Sequence, residues 1–185
     1  PPFTLIAATT RVALVSSPLR SRFSGGVFRM EFYSDEEIAQ IVKRSSSLLK
    51  TELDEEALHE IARRSRCTPR TANYFLKRCR DYAQVHKKNL DKQTVKGALD
   101  MLAIDEIGLN ALDRRFLEIL IEKFNGGPIG LKTISAALAE EEATVEEVME
   151  PYLIQLGLLE RTARGRVATK KAYEHLGFDF VEQEK

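Results

Sequence analysis

Residues 158–171 read LLERTARGRVATKK, and this stretch decides the fold of the second half of the chain. Two short segments, 158–162 and 167–169, flank the turn 163–166, which contains Gly165, and this pattern predicts a β-hairpin. Residues 161–171 contain five cations and no acid. Such a hairpin can bind the phosphate groups of a nucleic acid. The alternative interpretation is a charged hairpin that contacts only solvent.

The residues before the hairpin predict helices. One helix ends near Phe124, before Gly126-Gly127-Pro128, and a second covers about 132–138 after an extended piece at 129–131. Thr144 and Glu147 have the spacing of a capping box, which predicts that a third helix begins there. Pro151 should interrupt that helix before Gly157, and a last short helix follows the hairpin. The order helix, short strand, helix, helix, hairpin is that of a winged helix.

The helix before the hairpin has an unusual charge for a DNA-reading element. It carries Glu146, Glu147 and Glu150 and no base between residues 145 and 156. Acids repel phosphates, so we expect sequence-independent contact with the nucleic-acid backbone through the hairpin, and no base reading by this helix.

Residues 34–103 predict a bundle of four short helices. Ser34 and Glu37 form a capping box at the start of the first helix. A second helix is expected over about 54–66, a third from Thr68-Pro69, and a fourth over about 91–102. Their apolar residues recur at helical spacing, which predicts one shared core.

The first thirty residues predict a different kind of structure. The run FTLIAA over residues 3–8 is typical of a buried strand, and a buried strand needs neighbours on both sides. We therefore expect it to be part of a larger sheet, and residues 1–30 to be poorly anchored where nothing covers them.

Four residues could act on phosphates. Thr10 follows the predicted strand, where catalytic groups of α/β sheets are often found. Arg20 and Arg22 lie in a loop, from which an arginine can stabilise a developing phosphoryl charge. Arg70 lies in the first turn of a helix, where backbone N–H groups favour a phosphate. Taken alone, each of these residues is more readily interpreted as an ordinary surface residue.

Composition narrows the classes of protein. The chain has 185 residues, with 28 basic and 28 acidic side chains and 43% apolar residues. No apolar run approaches the roughly 18 residues of a membrane span, and no signal peptide is visible. Two cysteines and three scattered histidines predict neither a disulfide framework nor a metal site. We expect a cytoplasmic protein whose zero net charge conceals local patches.

Several segments together resemble one family. FTLIAATTR, SSPLRSRF, RSRCTPRTAN, GGPIGL and EPYLIQLGLLERTARGR occur in the order and spacing of the C-terminal half of the RuvB family. These are bacterial AAA+ motors that move Holliday junctions with the partner RuvA. The resemblance implies a mainly α chain: residues 1–33 end a truncated α/β ATPase domain, 34–105 form a helical lid, and 106–185 form a winged helix that binds duplex DNA.

The resemblance also implies residue roles. Thr10 would orient the attacking water, Arg22 would reach the nucleotide of a neighbouring subunit in a hexameric ring, and Tyr33 would lie beside the base. Arg70 would link the γ-phosphate of ATP, bound with magnesium, to the lid. The DNA contacts would come from the cations Arg161, Arg164 and Arg166.

Among its departures from the family pattern, the chain lacks the usual glycine at three positions. Ala7, Ala13 and Cys67 stand where the family usually has glycine. A glycine with positive φ tolerates no Cβ without a cost of about 1 kcal/mol or more. We therefore expect changed geometry near Thr10 and Arg22 if these positions have positive φ.

The sequence leaves other functions open. One alternative is a stand-alone winged-helix module that binds DNA without any motor role. Another is an adaptor whose acidic helix binds a basic partner. No phosphate loop of the form GxxxxGK[ST] occurs in these 185 residues, so we expect no ATP hydrolysis by this chain alone.

Overall fold

The computed structural model describes residues 1–180, which fall into two units, one over residues 1–32 and the other from Tyr33 onward. The first unit contains a 3₁₀ turn, Val12–Leu14, and one short helix, α1 (Ser17–Arg20). Residues 3–8 form no strand, and their side chains are exposed. The predicted buried strand is therefore wrong for this chain: a strand needs a hydrogen-bonded neighbour, and the sheet among the described residues offers none to this segment.

The second unit begins with the four predicted helices, whose existence is confirmed. Ser34 caps the first helix as expected: its hydroxyl accepts from the Glu37 N–H at 3.2 Å, and Glu37 accepts from the Ser34 N–H at 2.9 Å. Asp54 and Asp91 cap the second and fourth helices through their side chains. The bounds are α2 (Asp35–Leu48), α3 (Glu55–Arg64), α4 (Pro69–His86) and α5 (Lys92–Met101).

The four helices enclose one hydrophobic core, which the apolar faces of all four share. Burial of such side chains stabilises the bundle by roughly 25 cal/mol per Å² of apolar surface removed from water. The fully buried members include Ile38, Val42, Ile61, Leu76, Cys79, Val95 and Leu99.

A second core lies under the elements that follow. They comprise α6 (Ala111–Phe124), α7 (Leu131–Leu138), a helical segment over 142–155, the strands β1 (Leu159–Thr162) and β2 (Gly165–Ala168), and a last helix (Lys170–Leu176). We refer to residues 142–155 as the acidic helix and to residues 159–168 as the wing. This order is the predicted winged helix.

The acidic helix differs from its prediction at its start and in its middle. It begins at Glu142, after the extended Glu141, and Thr144 has helical angles, φ −63° and ψ −46°. An N-cap residue is not helical, so the predicted Thr144 capping box is wrong. Residues Val145–Met149 form a π-helical turn just before Pro151. A proline has no N–H to donate and crowds the preceding turn, and the wider π turn accommodates both effects.

The wing is anchored by backbone pairing. Its two strands are antiparallel, with Arg161 opposite Arg166 and Thr162 opposite Gly165, so the turn has two residues and not the four predicted. Ile129 adds a bridge to Arg166, with N–H···O distances of 3.0 and 2.8 Å. A Cβ on Gly165 would lie 2.2 Å from the Ile129 oxygen, so glycine is required where the two backbones approach.

The fold class is therefore confirmed as mainly α, a helical lid-like bundle followed by a winged helix. Among residues 1–180, no helix has both the length and the apolar character needed to cross a membrane.

Candidate functional site

The wing brings two of the predicted DNA-binding arginines together. Arg161 and Arg166 are cross-strand neighbours, and like charges in that position repel each other. Glu150 of the acidic helix lies against both, and its side chain is fully buried. The Arg166 Nε donates to Glu150 Oε1 at 2.6 Å, and the Arg161 Nη2 donates to Glu150 Oε2. The carboxylate therefore offsets the repulsion between the strands.

Burial makes this contact obligatory. A carboxylate taken out of water is costly unless its oxygens accept hydrogen bonds from cations, and Glu150 accepts from two. The Arg166 side chain is only 12% exposed, so its guanidinium pairs with Glu150 and is little accessible to a ligand. The hydrogen bond to Glu150 also raises the pKa of Arg161, which keeps the guanidinium charged.

Glu146 contacts the same arginines from a more open position. Its carboxylate lies 3.3 Å from the Arg161 Nη2 and 4.0 Å from the Arg166 Nη2. The Glu146 side chain is 46% exposed and that of Arg161 is 45% exposed. The acids of the helix, which sequence analysis treated as repelling phosphate, are thus partly neutralised by the wing.

Arg164 occupies the tip of the wing. Its backbone N–H donates to the Thr162 hydroxyl at 3.2 Å, and its side chain is exposed. Within residues 1–180 no carboxylate forms an ion pair with it. Arg164 is therefore the wing cation most available to a ligand, followed by Arg161.

Two of the predicted nucleotide-binding residues lie in the lid-like bundle. Arg70 is exposed in the first turn of α4, beside backbone N–H groups that suit a phosphate. Tyr33 is 39% exposed and lines an open groove of about 380 Å³ along α2, with Glu37, Gln40, Ile41 and Arg44. No hydrogen bond joins Tyr33 to Arg70 in the described structure.

The two predicted catalytic residues lie in the first unit. Thr10 is exposed at a bend, next to Thr9, whose hydroxyl accepts from the Arg11 N–H at 3.0 Å. Arg22 follows α1, where its backbone N–H donates to the Leu19 carbonyl at 3.1 Å, and its side chain is exposed. Neither side chain has an ion-pair or hydrogen-bond partner within residues 1–180.

Sequence reasoning missed a polar junction between the bundle and the winged helix. The Arg66 Nε donates to the Gly108 carbonyl at 3.0 Å, and its Nη2 contacts the buried Asp113. The guanidinium also lies 4.8 Å from the centroid of the Tyr152 ring. A Cβ on Gly108 would lie 2.5 Å from the Arg64 carbonyl oxygen, so the two parts approach at backbone distance.

Two further contacts lie at this junction, one within the winged-helix part and one across it. The Tyr152 hydroxyl donates to the Ile107 carbonyl at 2.6 Å, and burial raises the pKa of Tyr152 to about 12. The His175 Nε2 lies 2.9 Å from Asp105 Oδ2, which links the helix Lys170–Leu176 to the segment that follows the bundle. The sequence signal was weak: Asp113 stands three residues after the cap Asn110, which predicts a local capping box and says nothing about Arg66.

Two family models match the chain in succession. The RuvB AAA lid domain matches residues 33–105, and the RuvB C-terminal winged helix domain matches residues 106–177. Together they cover most of the described residues, in the order in which the two hydrophobic cores occur along the chain.

Individual proteins agree with these matches. The chain is 52% identical over 181 residues to the Holliday junction branch migration complex subunit RuvB of Ligilactobacillus salivarius, covering 97% of this chain and 54% of that protein. A point mutant of Thermotoga maritima RuvB superposes with a TM-score of 0.88 at 46% identity, over 97% of this chain and 60% of that one. The T. maritima RuvB Holliday junction branch migration motor superposes with a TM-score of 0.84 at 44% identity, over 91% of this chain and 57% of that one. The chain thus spans about half the length of these relatives.

Proposed function

The chain belongs to the RuvB family, and from this membership we propose that it is the C-terminal part of an ATP-driven DNA motor that moves Holliday junctions by branch migration. The observation that carries the proposal is the lid domain directly followed by the winged helix, over residues 33–177. A stand-alone DNA-binding module has no need of an AAA lid, so the match over residues 33–105 favours the motor.

The wing would hold the DNA backbone. Arg164, exposed at its tip, and Arg161, half exposed beside it, would contact phosphates of either strand without reading bases. Arg166 was predicted to contact DNA as well. Its burial against Glu150 supports a different contribution, which is to hold the hairpin against the acidic helix.

The nucleotide would be ATP with magnesium. The exposed Arg70 fits a phosphate because it shares the start of an 18-residue helix with backbone N–H groups. Bound ATP supplies the phosphoryl group whose transfer to water drives the motor. Thr10 would orient that water, Arg22 would stabilise charge on a neighbouring subunit's nucleotide, and Tyr33 would contact the base.

The remaining assignments follow from the family. We propose that the intact protein forms a hexameric ring, works with RuvA, and is found in the bacterial cytoplasm. We also propose the division into an ATPase end at residues 1–33, a lid at 34–105 and a winged helix at 106–185. These 185 residues alone should not hydrolyse ATP.

The wing proposal is tested by DNA binding. Arg164→Ala should weaken the binding of this chain to a random-sequence duplex, because one phosphate contact is lost. The slope of log K against log salt should fall by about one, and the loss should be equal for unrelated sequences. Fluorescence anisotropy over a salt series measures both quantities.

Lys96→Ala is the matched control, since it removes one exposed cation from α5, far along the chain from the wing. It should leave the salt slope unchanged. Equal losses for the two variants, or unaltered binding by Arg164→Ala, would overturn the assignment of the wing.

A further inference from the structure

The four charged side chains at the base of the wing differ in how firmly they are held. Glu150 is fully buried and accepts hydrogen bonds from both Arg161 and Arg166. Glu146 is 46% exposed and makes looser ion pairs, at 3.3 Å with Arg161 and 4.0 Å with Arg166. One carboxylate is therefore a fixed part of the fold, and the other can leave at small cost, because exposed ion pairs contribute little to stability.

Arg161 is the cation that these two acids share. Its side chain is 45% exposed, so a phosphate can reach it from solvent, whereas Arg166 is 12% exposed and its Nε is committed to Glu150. A guanidinium has five N–H donors, and the Arg161 hydrogen bond to Glu150 uses one on Nη2. Donors therefore remain for a second anion, and Glu146 already contacts the same Nη2 atom at 3.3 Å.

We propose that Glu146 is a competing anion of the DNA site: a backbone phosphate displaces its carboxylate from Arg161, while Glu150 keeps both arginines in place. This inference rests on the proposed binding of duplex DNA by the wing. The exchange substitutes one anion for another on the same guanidinium, so Arg161 is never left without a partner. It lowers the net gain from the phosphate contact at Arg161, which suits a wing that must release DNA repeatedly.

The π-helical turn supports the arrangement. Residues Val145–Met149 form this wider turn just before Pro151, and the segment carries Glu146 and leads into Glu150. Such turns occur often at functional sites. Here the carboxylates of Glu146 and Glu150 contact the same two arginines of the wing.

The test is a double-mutant cycle on DNA affinity, measured by anisotropy with a random-sequence duplex at low salt. Glu146→Gln should bind about threefold more tightly, as expected for removal of one exposed ion pair that competes with the ligand. In an Arg161→Gln background, Glu146→Gln should keep only the small gain that neutralising any nearby acid gives. Thermal unfolding of each variant checks that the wing stays folded.

Glu160→Gln is the matched control. Glu160 is an exposed acid on the wing itself, without an arginine partner in the described structure. Neutralising Glu160 affects DNA only through long-range electrostatics. Any gain in DNA affinity should therefore be the same with and without the Arg161→Gln change. In the Arg161→Gln background, a gain from Glu146→Gln larger than that from Glu160→Gln would overturn the competition. Equal gains from the two changes with Arg161 present would overturn it as well. Absence of DNA binding by every variant would instead overturn the proposed wing function, and this inference with it.

Discussion

At the scale of single residues, backbone angles distinguish the three positions where alanine or cysteine replaces the family's usual glycine. Cys67 has a left-handed backbone, with φ +52°, next to Arg66 at +56°. Ala7 and Ala13 have no positive φ, and Ala13 lies in the 3₁₀ turn. The conformational free-energy cost of a Cβ is therefore expected at position 67, just before Thr68 and α4. No such cost is expected in the segment around Thr10.

Cys67→Gly should stabilise the chain. Left-handed backbone costs a residue with a Cβ more than it costs glycine, so we expect a gain of about 1 kcal/mol in the free energy of unfolding. The lost contact is weak, a 3.9 Å approach of the Gln155 amide to the Cys67 sulfur. Urea unfolding monitored by circular dichroism measures the change.

The control for this prediction is Gln84→Gly, which places glycine at an exposed, right-handed position of α4. That change should destabilise the chain by about 1 kcal/mol. A loss of stability in Cys67→Gly would show that the cysteine side chain contributes more than its backbone costs.

At the scale of elements, the wing shows how a hairpin rich in cations stays attached to an acidic helix. Two arginines directly opposite each other would push the strands apart, and the buried Glu150 between them prevents this. The acidic helix and the basic hairpin are separate charged segments in the sequence, but their side chains form one network of ion pairs in the folded protein. That the wing arginines contact DNA stays a prediction. Their exposure to a ligand decreases from Arg164 to Arg161 to Arg166.

Glu150→Ala should destabilise the winged helix strongly. It leaves the mostly buried Arg166 without the acceptor of its Nε, and removal of one partner of a buried pair costs about 3 kcal/mol. Glu160→Ala, at an exposed position of β1, should change stability by less than about 0.5 kcal/mol. Urea unfolding compares the two, and equal stabilities would show that Glu150 does not hold the wing.

At the scale of the whole molecule, the bundle and the winged helix meet through specific polar contacts. Arg66 follows the last turn of α3 and contacts Gly108, Asp113 and the Tyr152 ring, all of which belong to the winged-helix part. It stands four residues before Arg70, the proposed phosphate ligand. The same short segment thus carries both the proposed nucleotide contact and the connection to the DNA-binding part.

Arg66→Ala should separate the unfolding of the two parts. With the junction intact, residues 33–180 should unfold in a single calorimetric transition, since each part stabilises the other. Without Arg66, the buried Asp113 loses its cation, and we expect two resolved transitions. Arg63→Ala, whose half-exposed side chain pairs only with Glu60 of the same helix within the described residues, should keep one transition. Two transitions in the unmodified chain would contradict the coupling.

Local patterns were sufficient for most of the secondary structure. The capping box of Ser34 involves residues three apart, and the hairpin needs only its short strands and Gly165, so neighbours in sequence determine them. The same spacing misled at Thr144, because the acidic helix had already begun at Glu142. A spacing of three residues permits a cap but does not say where the backbone first becomes helical.

By itself, the sequence determined the helices, the hairpin, the order that makes a winged helix, and the resemblance to the RuvB family. Only the tertiary structure decided that residues 3–8 form no strand, that the mostly buried Arg166 pairs with Glu150, and that Arg66 joins the bundle to the winged helix. The physical reason is the range of the interactions. A cap or a turn depends on atoms a few residues away, whereas the partners of a strand or a buried charge are brought close only when the chain has folded.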